Sequence, residues 1–185
     1  MAYVRFPIPA FNAKEFKNMA WSAPSFLKDA EIADLIKRQK AGDASSYGVY
    51  AVKPSDAFFD AHKIKGDNRH AVMCVLPSKK VKVLGRSHAW YIQRAIVLDG
   101  MDAASKTVLD WKTTRPICTR LGPDDGTAID GGVFYVVCCR KYADYWLGNR
   151  TILDNEWKKG SGCRILSASV DDIDDFHEVY LEFQW

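Results

Sequence analysis

The chain contains no apolar run near the roughly 18 residues that a membrane-spanning helix needs. It has no Cys-x-x-Cys or His-x-x-x-His spacing, which leaves a zinc site without its usual ligand pattern. Glycine and proline are sparse, 12 and 7 of 185 residues, which excludes collagen-like and low-complexity chains. An excess of one charge is also missing: 26 Lys+Arg face 23 Asp+Glu, for a net charge of +3. Bulk charge of that size does not mark a nucleic-acid binder. The opening, MAYVRFPIPAF, lacks the basic, apolar, then small-residue layout of a secretory signal, which predicts a soluble cytoplasmic protein with no membrane partner. Cys74, Cys118, Cys138, Cys139 and Cys163 are odd in number and read as reduced thiols in that setting. The sequon Asn149-Arg150-Thr151 has no use outside the secretory route.

What the chain does have is apolar and aromatic bulk, 48% and 12%, enough for one domain over residues 1–185 to bury a core. Tyr3–Phe6 reads as a short strand stopped by Pro7 and Pro9. Ser25–Ala41 reads as a helix, with Phe26, Ala30 and Ala33 at helical spacing, basic residues at its end and Gly42 beyond. Pro54–His62 is a short helix started by Pro-Ser-Asp. Nine further runs are β-branched or aromatic: Tyr47–Lys53, Ala71–Leu76, Lys80–Leu84, Ala89–Leu98, Thr107–Trp111, Arg115–Leu121, Val133–Cys139, Arg164–Val170 and Val179–Trp185;. Turns are expected at Asp99–Asp102 and Leu121–Gly126. The expected class is α+β: a mainly antiparallel mixed sheet with a few helices, most of them N-terminal.

Three constellations carry chemistry. The first runs from Ser45 to Phe59, a strand entering a helix, with Gly48 permitting close backbone approach and Tyr50 presenting a ring. As a bare pattern this is also what a strand–helix connection with a core tyrosine looks like.

Tyr47-Gly48-Val49-Tyr50-Ala51-Val52, with Ser55 and Ala57 in the following helix, resembles the donor-site segment of ADP-ribosyltransferases of the poly-ADP-ribose polymerase type. Asn68–Leu76 resembles that family's next strand, and Val133–Val137 with Tyr142–Leu147 its late strand and ending, so the resemblance covers about residues 45–147. It implies NAD, or an ADP-ribose-type ligand, held by Tyr47, Gly48, Tyr50 and Ser55, with Tyr50 in the family's catalytic tyrosine position. The sequence departs from the pattern at two points. No histidine precedes His62, although Arg5 on the first strand suits the Arg-Ser-Glu branch of these enzymes, and Gly131-Gly132-Val133 stands where the late glutamate belongs. Glu178 and Glu182 on the last strand are the replacements available, and Glu178 is taken as the second catalytic candidate. The implied function is mono-ADP-ribosyl transfer to a macromolecular acceptor, or binding without catalysis.

The second constellation is Asp99 with Asp110-Trp111-Lys112, similar to the Asp…Asp-x-Lys core of restriction-type nucleases, in which two carboxylates hold Mg²⁺ and the lysine orients water. A charged hairpin face gives the same pattern. The third is the acidic run Asp171–Asp175 with His177 and Glu178, which lacks EF-hand spacing and reads as a turn. Lys79, Lys80, Lys82 and Arg86, with Trp90 and Tyr91 downstream, form a small basic patch that keeps nucleic acid open as a partner. A third function, beside transferase and nuclease, is a non-catalytic viral, phage or accessory domain that meets a protein partner through aromatic surface.

Overall fold

The computed structural model describes residues 25–66, 68–89, 91–114, 120–168 and 178–185. The expected Tyr3–Phe6 strand, Trp90, most of the Arg115–Leu121 strand, and the acidic run Asp171–Asp175 with His177 lie outside the described residues.

The first sheet joins β1 (Gly48–Val52), β3 (Ala71–Val75), β8 (Val133–Tyr142), β5 (Gln93–Leu98) and β6 (Thr107–Lys112) in that order, with β9 (Tyr145–Gly148) on β8 and β2 (Ile64–Lys65) on β9. The second sheet runs β10 (Arg150–Lys158), β11 (Gly162–Ala168), β12 (Val179–Gln184), β4 (Lys80–Arg86) and β7 (Thr127–Asp130). Every pairing is antiparallel except β2 with β9.

The α+β expectation is corrected by this architecture. Among the described residues half are strand and 14% helix, in two separate sheets of seven and five strands. The helices among the described residues are α1 (Asp29–Lys40), α2 (Asp56–Ala61) and a 3₁₀ turn at Ala44–Ser46. The physical reason lies in burial. All five residues of β3 and all six of β5 are buried, so these strands are covered on both faces, one by helices and the other by a second sheet. A run of β-branched residues announces a strand without saying which sheet it joins.

Two cores follow from the two covered faces. Between the sheets, Val49, Val72, Cys74 and Val97 of the first meet Val81, Ile165, Leu181 and Phe183 of the second. On the opposite face of the first sheet, Val52, Met73, Ile96 and Val137 pack against Ile32 and Leu35 of α1 and against Phe58 and Phe59 of α2. Alternation along β1 thus sends Val49 inward to the second sheet and Tyr50 and Val52 toward α1. No helix of the described residues is long and apolar enough to cross a membrane.

Four strands were not anticipated: β2, β7, β9 and β10. Three are short, and β10 carries Asp154, Asn155, Glu156 and Lys158, which spoil a clean apolar alternation. Its pairing with β11 shifts register between Asp154 and Lys158. Such an irregularity re-aims side chains, and here it frees Asn155 from the ladder to face β1.

Candidate functional site

β1 is an edge strand of the first sheet, so half of its backbone groups need partners from elsewhere. Asn155 supplies them at Val49: its Oδ1 accepts from the Val49 N–H at 2.8 Å, and its Nδ2 donates to the Val49 carbonyl at 3.1 Å. One residue pair further along, the Leu27 N–H donates to the Ala51 carbonyl at 3.0 Å. Gly48 permits the approach, since a Cβ there would lie 2.6 Å from Asn155 Oδ1, and its φ of +151° disfavours other residues;.

The chain enters β1 through a locked corner. Asp43 caps the 3₁₀ turn by accepting from the Ser45 N–H at 3.0 Å and the Ser45 hydroxyl at 2.6 Å. Arg38 of α1 donates to Asp43 at 2.9 Å and to Ser45 Oγ at 2.8 Å. The Ser45 hydroxyl and Arg38 hold the Asp43 carboxyl down at about 2. Tyr50 completes the corner by donating its hydroxyl to the Ser46 carbonyl at 2.8 Å. Burial raises the Tyr50 phenol above its ordinary value, so it stays neutral.

Between this corner and the β10–β11 turn lies a cleft of about 450 Å³, lined by Tyr47, Tyr50, Glu156, Lys159, Cys163 and Trp185 among others. Tyr47 and Trp185 meet edge to face, their ring centroids 6.0 Å apart, and Trp185 Nε1 donates to the Gly160 carbonyl at 3.1 Å. Glu156 and Lys159 form a loose pair at 3.7 Å with both side chains largely exposed, leaving both heads free to turn to a ligand. Burial, and after it the charge of Asp154, pushes the Cys163 thiol up to about 12, so it is no nucleophile at neutral pH. A second hollow of similar size lies across Tyr50, walled by Leu27, Ala30, Glu31, Asp34, Leu35 and Arg38.

The site residues expected from the sequence divide accordingly. Tyr47, Gly48 and Tyr50 all line the cleft. Ser55 is the N-cap of α2, beyond the opposite end of β1, and is exposed. Glu178 precedes β12, and its backbone pairs with Ser167 and Ser87. Seven extended residues separate it from Trp185, about 23 Å, so the fold does not bring Glu178 to Tyr50. Glu182 lies mid-strand, where it accepts from the Tyr180 hydroxyl and, at 2.8 Å, from Gln184 Nε2. The sequence pattern missed Asn155, Glu156, Lys159 and Trp185; the one signal for them was the Trp-Lys-Lys-Gly-Ser-Gly stretch at 157–162, which marks a tight turn beside aromatic and charged residues.

The nuclease-like residues take other duties. Both oxygens of Asp110 accept from Arg94, at 2.9 Å each, with Lys112 at 3.8 Å. Asp99 caps its own hairpin by accepting from the Lys106 N–H at 2.7 Å. Of the basic patch, Lys80 pairs with Asp130 at 2.7 Å. Among the described residues no group of three or more His, Cys, Asp or Glu side chains is placed to hold a metal ion.

Fold and cleft together define a protein of two face-to-face antiparallel sheets with a polar–aromatic cleft at one sheet edge. No protein-family model matches the chain, and no curated protein matches it. Among solved structures, the C-terminal domain of BC2L-C lectin from Burkholderia cenocepacia is similar at a TM-score of 0.42 and 18% identity, over 59% of this chain and 89% of that one. That degree of likeness assigns neither family nor activity. Nothing in the comparisons or in the two-sheet architecture supports the ADP-ribosyltransferase resemblance or an NAD site.

Proposed function

We propose that this protein is a recognition module that binds, without turning over, a small polar ring-bearing ligand such as a saccharide or nucleoside in the Tyr47–Trp185 cleft. The observation that carries the reading is the combination of two aromatic rings fixed edge to face with an exposed Glu156–Lys159 pair beside them. Rings offer a flat apolar wall to a sugar or base, and the charged heads offer a donor and an acceptor to hydroxyls or amides. The volume suits a ligand of one or two rings. Recognition is favoured over catalysis because the groups at the corner are already committed: Tyr50 to Ser46, Asn155 to Val49, and Arg38 to Asp43 and Ser45. They make a rigid wall rather than groups free to exchange protons. Cys74, Cys138, Cys139 and Cys163, free and buried, fit a reducing, cytoplasmic setting.

The test is saturation-transfer NMR of the whole protein against a panel of monosaccharides, nucleosides, NAD and ADP-ribose, repeated with Tyr47→Ala and Glu156→Gln. A saccharide or nucleoside whose signal falls at least about tenfold in both variants supports the cleft. Ligand signals untouched by either variant, or hydrolysis or transfer of any panel member, would overturn the reading.

A further inference from the structure

The end of the first sheet opposite the cleft carries a second surface. Gly48 is level with Val75 and Val133 across the sheet, and Tyr142 lies nine residues farther along β8, about 30 Å away. There β8 turns into β9 through Ala143 and Asp144, with Tyr142 directly opposite Tyr145. Being paired, the two tyrosines share one face of the hairpin. Their centroids are 5.8 Å apart with the planes tilted by 54°, so neither ring covers the other. Tyr142 is 54% exposed, the most open large hydrophobic residue described.

Two lysines flank these rings. Lys65, on β2 beside β9, holds its Nζ 4.9 Å over the Tyr145 ring. Lys63, two residues earlier in the chain, is exposed as well, and the acidic Asp144 lies in the turn. Lys63 and Ala143 are the non-glycine residues with positive φ among those described, at 58° and 52°, and both border this surface.

We infer that this hairpin end is a docking surface for single-stranded nucleic acid, with Tyr142 and Tyr145 as stacking platforms and Lys63 and Lys65 as phosphate contacts. Closely set open rings and lysines match a partner that alternates flat bases with anionic links. An acidic peptide would satisfy the lysines but not the rings, and a duplex keeps its bases stacked away from them. The small net charge of the chain is no obstacle, because what counts is its local grouping.

The experiment is fluorescence anisotropy of the full chain with labelled oligo-dT and oligo-rU of about twelve nucleotides, at about 50 mM and about 200 mM salt. Tyr142→Ala should weaken binding about tenfold or more. Lys63→Ala and Lys65→Ala should each lower the slope of log K against log salt by about 0.7. Lys82→Ala, an exposed lysine on the other sheet, should change nothing. Because Tyr142 is exposed, its truncation leaves both cores intact, and Tyr142→Phe should bind like the wild type. No binding at the lower salt, full binding by Tyr142→Ala, equal loss with Lys82→Ala, or a preference for duplex of the same length would each overturn the assignment.

Discussion

The side-chain amide of Asn155 stands in for a missing strand beside Val49, giving and receiving one hydrogen bond as a backbone neighbour would. It also ties the sheets together at their edge, since Val49 belongs to the first and Asn155 to β10 of the second. Val49 is 2% exposed, but Asn155 is itself exposed and lines the cleft, so removing the amide trades two hydrogen bonds for contacts with water. Asn155→Ala should therefore cost about 1 kcal/mol in urea denaturation. Asn155→Asp keeps the acceptor but loses the donor and faces the Val49 carbonyl with an oxygen, so it should be no rescue at neutral pH. Gly48→Ala should also destabilise, because its Cβ would crowd the same amide at 2.6 Å. Wild-type stability in Asn155→Ala would remove the amide from any bridging role.

How much of this was legible beforehand depends on the scale of the interaction. Strands β1, β3, β5 and β8 announce themselves because Val, Ile and aromatic residues crowd them, and the expected start of β1 at Tyr47 lies one residue from the observed Gly48. α1 is legible from its basic end and Gly42, although it begins later than Ser25, at Asp29. Sheet membership was not legible: β4 and β5 are neighbours in the chain yet fall in different sheets, and nothing local to either strand encodes that choice. The cleft was half legible. Tyr47, Gly48 and Tyr50 are contiguous, whereas Asn155, Lys159 and Trp185 reach the same place only through the register shift in β10 and the pairing of β11 with β12.

His70 makes stability depend on pH. Its Nδ1 lies 3.1 Å from the Asn68 carbonyl and its Nε2 lies 2.8 Å from Thr151 Oγ1. The carbonyl can only accept, so Nδ1 carries the proton and Nε2 accepts from the threonine hydroxyl. Burial, with the charge of Lys53 adding to it, pulls the imidazole down to about 4 despite the Asn68 contact. A folded-state value below the unfolded one means that the unfolded chain binds the proton first. The contribution is thus complete above about pH 6.5 and drains away as pH falls toward 4, reaching about 3 kcal/mol. Urea midpoints between pH 7 and pH 4 should fall more steeply for the wild type than for His70→Gln. Parallel curves would show that His70 titrates normally in the fold.

Arg94 and Asp110 predict a structural loss where nuclease chemistry would predict a catalytic one. The Arg94 side chain is 9% exposed and that of Asp110 28%, and Arg94 also lies 5.4 Å from the Trp146 ring centroid. Burial alone would raise the Asp110 carboxyl, but the Arg94 hydrogen bonds and charge, then Lys112, hold it below its usual value. The pair therefore stabilises the fold above the ordinary carboxylate range and fails as pH drops through the lowered value. Asp110→Ala leaves a nearly buried guanidinium without its partner and should cost about 2 kcal/mol or more, equally with and without Mg²⁺. A wild-type protein stabilised by Mg²⁺, with that gain lost in Asp110→Ala, would instead return Asp110 to a metal site.

Trp111 rests on glycine. A Cβ at Gly122 would lie 2.6 Å from Trp111 Cδ2, and one at Gly85 would lie 2.9 Å from Trp111 Cε3 and 2.5 Å from the Leu121 carbonyl oxygen. The indole of β6 therefore packs on backbone from the β4 strand and from the Leu121–Gly122 turn, which joins the exposed edge of the first sheet to the intersheet core. Gly122 also has φ of +81°, so Gly122→Ala carries two costs: left-handed strain of about 1 kcal/mol or more, and a clash of about 1 to 3 kcal/mol. Only the clash involves the indole. In a double-mutant cycle, Trp111→Leu should recover the steric part of the Gly122→Ala loss and leave the backbone part behind, giving a coupling of at least about 1 kcal/mol. Strictly additive losses would mean that the turn moves away from Trp111 at no cost, and that the contact does not fix the β6 edge.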